Sequence, residues 1–136
     1  MGLDQWIVRN SNGETPSIDE NGNWINATEC IKLRGDYWLR NHLSPVVQER
    51  TGKKITDMCM EFIPVTVEDL EDVIADSKTC LRERETWVAM DLFDTGLFYS
   101  NHDFDWFIAK LGYFNRVMCN RLRSKKETHY WYIESW

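Results

Sequence analysis

His129-Tyr130-Trp131-Tyr132-Ile133-Glu134-Ser135-Trp136 is a run dense in aromatic side chains, the kind that suits a pleated, half-buried surface. As a strand it sends Tyr130 and Tyr132 to one face of a sheet and Trp131 and Ile133 to the other. Both faces are then apolar. Either helices cover both, or one face stays open to a partner, because contiguous exposed aromatics mark interaction surfaces. Chain ends fray unless a sheet takes them in. The expected neighbour is Leu-Asp-Gln-Trp-Ile-Val, residues 3–8, which also reads as a strand.

Between these ends the chain alternates turn and helix signals. Ser-Asn-Gly-Glu-Thr-Pro-Ser, residues 11–17, is a loop, and Asn21-Gly22 between β-capable flanks predicts a tight hairpin turn. Asp36 to His42 opens a helix. Ser44 followed by Pro45 fits an N-cap and first helical residue, so two short helices, or one with a kink, are expected over residues 36–51, with Gly52 as the C-terminal cap. Residues 58–65 read as extended. Thr66 and Asp69 form a capping-box variant. They precede apolar residues at Val67, Leu70, Val73, Ile74 and Leu81, with Ser77 and Cys80 on the same face. Residues 96–100 read as a strand. A helix over 103–123 presents Phe104, Phe107, Ile108, Leu111, Phe114, Val117, Met118 and Leu122 as its apolar face. The expected architecture is α+β and spans residues 1–136 as one domain. An antiparallel sheet contains the N- and C-terminal strands, with helices packed mainly on one face.

Charge is unevenly spread over the 136 residues. The net charge is −6, with 11 acids and 3 bases in residues 57–94 and 6 bases and 4 acids in residues 103–136. The acidic middle argues against simple duplex-DNA binding, which needs a basic face, and suits a basic protein surface. Cys30, Cys59, Cys80 and Cys119 form no C-x-x-C motif, which argues against a structural zinc site. No stretch approaches the roughly 18 apolar residues of a membrane span, and the opening residues lack a basic–apolar–small pattern. The expectation is a cytosolic protein with reduced thiols, no membrane and no cofactor.

Several segments, taken in order, carry a resemblance. They are Met-Gly-Leu-Asp-Gln-Trp-Ile-Val at residues 1–8, Tyr-Trp-Leu-Arg-Asn-His-Leu at 37–43, the helix from Val65, Thr-Gly-Leu-Phe-Tyr-Ser-Asn-His-Asp-Phe-Asp at 95–105, and the closing aromatic run. Together they resemble a family of small phage and prophage proteins. Its members begin Met-Gly-Leu-Asp, carry a central Tyr-Trp-Arg segment with a nearby histidine and an aromatic strand, and end in Tyr-x-Ser-Trp-like residues. Here the arginine is shifted to Arg40, and Ser100 replaces the glycine after the aromatic strand. The resemblance implies a bacteriophage-encoded protein acting in the host cytoplasm, and no particular activity. A shorter stretch, Gly22 to Asn41, is similar to the start of the KilA-N domain, a phage DNA-binding module.

Two clusters are candidate sites. On a helix, Tyr37 and Asn41 share one face, Trp38 and His42 another, and Arg40 is free to stack or to grip a carboxylate or phosphate. This describes an aromatic wall with one cation and one imidazole, or a buried aromatic helix. Ser100, Asn101, His102, Asp103 and Asp105 follow a strand and open a helix. They can bind an anion, ligate a metal, or simply cap the helix. Trp131 and Trp136 join Trp38 and Arg40 as candidate anchors for a partner. No phosphate loop, H-E-x-x-H motif or nucleophile pattern is present. The leading expectation is a non-enzymatic protein that binds a host protein, to counter an antiviral system or redirect host machinery. The alternatives are a small-ligand or nucleotide binder, including an enzyme acting on one, and a KilA-N-like nucleic-acid module.

Overall fold

The computed structural model describes residues 2–83, 101–122 and 128–136. In chain order the elements are β1 (Asp4–Asn10), β2 (Ser17–Ile18), β3 (Trp24–Ile25), β4 (Thr28–Arg34), α1 (Tyr37–Thr51), a 3-10 turn (Ile55–Asp57), β5 (Ile63–Val65), α2 (Val67–Glu83), α3 (Asn101–Leu122) and β6 (His129–Ser135). The strand expected over 96–100 lies outside the described residues.

The fold is α+β, with an antiparallel sheet ordered β4-β1-β6-β5. The two terminal strands pair along their whole length, from Asp4 opposite Ser135 to Asn10 opposite His129. The alternation of β6 has the expected consequence. Tyr130 and Tyr132 join Ile7, Ile31, Leu33, Ile63 and Val65 in a core that also takes in α1, α2 and α3. Trp131 and Ile133 point the other way and pack with Val8. That second face is covered by the β2–β3 hairpin, whose Trp24 meets Trp6 and Phe62 edge to face at centroid distances of 5.7 and 6.0 Å. Helices therefore pack on one face and a small hairpin closes the other.

The structure sharpens the local expectations at three places. The hairpin is real, but its loop spans residues 19–23 and only Gly22 is left-handed there, with φ +81°. Asp19 organises this loop by accepting from the amides of Asn21 and Asn23 at 2.9 and 2.8 Å. Of the two expectations over residues 36–51, two short helices or one, the structure has one, with Pro45 inside α1. α1 does end at Gly52, which is left-handed (φ 73°) and donates its N–H to Gln48 O at 2.9 Å. β4 was not foreseen. It pairs with β1 through a register shift between Ile7 and Val8, at the level of Cys30, so Cys30 and Ile31 are both buried.

Helix α3 runs as its pattern requires, with Phe107, Leu111, Phe114 and Met118 buried. Its described residues are Asn101–Leu122. Trp38 of α1 meets Phe107 and Phe114 edge to face at 6.5 and 5.2 Å. Asn115 of α3 donates to Ser77 Oγ of α2 at 3.0 Å. Cys30 and Cys80 are free and buried, which pushes both thiols up to about 11.

The capping box at α2 is reciprocal: Thr66 N donates to Asp69 Oδ2 at 2.8 Å, and Asp69 N donates to Thr66 Oγ1 at 3.1 Å. Arg50 of α1 grips the same carboxylate with both terminal nitrogens. Burial pushes the Asp69 carboxyl up, but Arg50 and Thr66 outweigh it and hold it below the usual 3.8. A carboxylate lowered in the folded state stabilises above its unfolded value, and that contribution is lost as pH falls through the folded value. Asp69→Asn should therefore lower stability at neutral pH and flatten the loss on acidification below about pH 4. Urea unfolding at stepped pH checks this; a variant with an unchanged acid limb would refute it.

Candidate interaction site around Arg40 and Glu134

Strand alternation puts Glu134 on the same face as Tyr130 and Tyr132, beneath the helices, where it is 0% exposed. A carboxylate there must be paired and hydrogen-bonded. Arg40, one turn into α1, supplies the charge: its Nε lies 2.8 Å from Glu134 Oε2 and 3.1 Å from Oε1, and its Nη2 lies 2.8 Å from Oε1. Tyr132 donates its hydroxyl to Oε2 at 2.7 Å, and Trp136 Nε1 donates to Oε1 at 3.2 Å. Burial, then the charge of Glu134, pushes the Tyr132 phenol well above its usual value, while the Glu134 carboxylate holds the Arg40 guanidinium protonated.

From this pair a polar chain runs through the core. Gln5, opposite Glu134 on β1 and fully buried, donates to Tyr132 Oη at 2.7 Å and to Asp36 O at 3.0 Å, and accepts from Asp36 N at 2.8 Å. Asp36 precedes α1 but does not cap it with its side chain. Its Oδ1 accepts from Trp38 Nε1 at 2.8 Å and its Oδ2 from Lys110 Nζ at 3.2 Å. Burial pushes the Asp36 carboxyl up, partly offset by Lys110.

Where this chain reaches the surface it carries an apolar rim. Tyr37 is 49% exposed, Trp136 48% and Met60 43%. The Arg40 guanidinium carbon sits 5.4 Å from the Tyr37 ring centroid, within cation–π range. Met60 adopts a left-handed backbone (φ 59°), and its N–H donates to Glu134 O at 2.7 Å. Cys59 Sγ lies 3.6 Å from Trp136 O.

The structure thus brings Tyr37, Arg40 and Trp136 together and separates them from other sequence candidates. Trp38 and Trp131 are 3% and 4% exposed. The first is core and the second lies on the opposite face of the sheet, so neither is a surface anchor. His42 turns to α2, with Nε2 2.7 Å from Asp76 Oδ2, whereas Arg40 turns to Glu134 on β6, so the two side chains have different partners. Asn101, His102, Asp103 and Asp105 lie in the first two turns of α3, and Asp105 is exposed. The acidic face of α2 is present as exposed Glu68, Glu71 and Asp72, while Asp69 is buried against Arg50. A groove of about 510 Å³ lies elsewhere, lined by Arg50, Pro64, Thr66, His129 and Trp131 among others.

Sequence reading missed Glu134, Gln5 and Met60. The signal for Glu134 was its parity with two tyrosines on a face that helices cover, which demands a cationic partner. Met60 carried no signal. Among the described residues no cluster of His, Cys, Asp and Glu is arranged to hold a metal ion, and no helix is long and apolar enough to cross a membrane. No protein-family model, curated protein or solved structure matches this chain.

Removing one partner of a buried pair strands the other charge, at about 3–5 kcal/mol. Arg40→Met should lower unfolding stability by that amount. Adding Glu134→Gln should recover at least half, because the neutral amide no longer needs a cation. A cost below about 1 kcal/mol for Arg40→Met would mean the pair is not a buried charge pair in solution.

Proposed function

We propose that this protein works by binding a partner protein, and that the rim of Tyr37, Met60 and Trp136 around Arg40 is its contact surface. One observation carries this reading: three large apolar side chains are held exposed around a buried carboxylate whose hydrogen-bonding capacity is already filled. With five contacts from Arg40, Tyr132 and Trp136, Glu134 is poorly placed to act as a general base or to grip a ligand. What remains at the surface is a set of restrained rings and a stacked guanidinium. Tyr, Trp and Arg dominate the energetics of protein interfaces. The left-handed Met60 supports the reading, since a non-glycine residue rarely adopts that conformation and such residues gather at functional sites.

The resemblance to small phage proteins makes a host protein the partner, with an antiviral system or a host machine as its setting. The acids exposed on α2 favour a partner with a basic surface. Tagged protein is exposed to lysate of the host cell, and the eluate is read for proteins and for extracted small molecules. One dominant host protein is expected, with its yield falling at least about tenfold for Tyr37→Ala or Trp136→Ala, while urea stability shifts by less than about 1 kcal/mol. A captured protein indifferent to both changes would sink this surface. A protein-free eluate with a co-purified small molecule would move the site to the groove beside His129 and Arg50.

A further inference from the structure

The second exposed aromatic feature lies on α3 and does not depend on the preceding reading. Phe107, Leu111, Phe114 and Met118 form its buried line. The diametrically opposite line, at about 3.6 residues per turn, is Asp105, Ala109, Gly112 and Arg116. Trp106 and Tyr113 lie together along one side of it, 53% and 42% exposed. Asp105, Ala109 and Arg116 are exposed too, and Gly112 is half-buried. Lys110 Nζ stands 4.1 Å from the Trp106 ring centroid and the Arg116 guanidinium carbon 6.0 Å from that of Tyr113, so both rings are restrained.

The pattern is self-complementary. Asp105 and Arg116 lie on the same line about three turns apart, with Ala109 and Gly112 placed symmetrically between them. Let a second α3 cross antiparallel, with a two-fold axis midway between Ala109 and Gly112. Asp105 of each copy then faces Arg116 of the other, twice. Exposed Ala109 lies at the crossing and lets the helices approach closely, beside Gly112, where a Cβ would stand 4.0 Å from Leu81 of α2. Trp106 and Tyr113 fill one flank, each near the other from the second copy. An isologous contact requires this reciprocity, in which residue i meets j and j meets i. An acid and a base at the two ends of one exposed line make the face complementary in charge to itself when turned end for end.

We infer that the outer face of α3 is a homodimer interface, whose occupant is the same face of a second copy of this chain. Sedimentation velocity over a concentration series on the full chain tests this. The expected result is a reversible monomer–dimer equilibrium that weakens as salt rises. Asp105→Arg and Arg116→Asp should each weaken it about tenfold or more, since each sets like charges against each other twice. The double variant Asp105→Arg with Arg116→Asp should restore dimerisation to within about threefold of wild type. Trp106→Ala should also weaken it about tenfold. All three positions are on the surface, so thermal unfolding followed by circular dichroism should show folded protein throughout. A wild-type chain that stays monomeric up to about 1 mM overturns the inference. So does a dimer indifferent to the single changes, or a double swap that fails to restore what the singles lose.

Discussion

Glu134 is the constraint around which the rest is arranged. β6 cannot place Tyr130 and Tyr132 in the core without sending Glu134 to the same face, because side chains alternate along a strand. That face is covered by three helices, so the carboxylate is fully buried. Desolvating it costs several kcal/mol unless a counter-charge and hydrogen bonds replace water. Arg40 supplies the charge, which fixes the rotation of α1 about its axis and the seating of α1 against the sheet. Tyr132 and Gln5 extend the hydrogen bonding across the β1–β6 pair. A slip of one residue in that register would turn Gln5 and Glu134 away from their partners and every core residue of β1 toward the hairpin. Such a network tolerates few alternatives, because a half-satisfied buried polar group is worse than none.

The opposite face meets the same demand with much less chain. Trp131, Ile133 and Val8 need covering there, and the cover is a hairpin whose paired strands are two residues each. Large rings make this possible. Trp24 reaches over the sheet to Trp6 and Phe62, and a single aromatic side chain buries roughly 150–250 Å². Asn10, Asn12 and Asn26 secure the base of the hairpin: Asn10 Nδ2 donates to Asn26 O at 2.9 Å, and Asn12 Nδ2 to Asn26 Oδ1 at 2.9 Å. The apolar character of both faces of β6 therefore has a local explanation on this side and does not itself require a partner.

Elements whose signals are local were legible in the sequence. The Thr66–Asp69 box, the Gly52 cap, the apolar period of α3 and the alternation of β6 each depend on neighbours within a few residues. The misses depend on distant ones. Thr28–Arg34 carries Ile31 and Leu33 as an alternating pair, but the bulge at Cys30 breaks the period, and only pairing with β1 reveals a strand. Pro45 looked like a helix start because Ser44 precedes it, yet the packing of Trp38, Leu39, Leu43 and Val47 on one side holds the helix through the proline at the loss of one backbone hydrogen bond. Of the candidate site, Arg40 was recognised as a residue able to grip a carboxylate. Which carboxylate, nearly a hundred residues away, was set by the topology alone. Trp38 and Tyr37 are adjacent and similar in sequence, and the helix sends one to the core and the other to solvent.

That partition bears on how the aromatic surplus is used. Burial accounts for Trp38, Trp131, Tyr130 and Tyr132, and partial burial for Trp6, Trp24 and Phe62. The large aromatics left exposed among the described residues are Tyr37, Trp106, Tyr113 and Trp136, and none of the four is loose. Arg40, Lys110 and Arg116 each stand over one ring, and Trp136 is tethered to Glu134 through its indole nitrogen. An exposed aromatic that merely spilled out of the core would have no reason to be pinned. Pinning carries an advantage in association, where ordering a side chain at an interface costs about 0.5–1.5 kcal/mol. Rings already held by the monomer leave less of that cost to be met on contact. Two separate surfaces built on this one device, around Arg40 and along α3, are what a chain would carry if it both recognises a partner and pairs with itself.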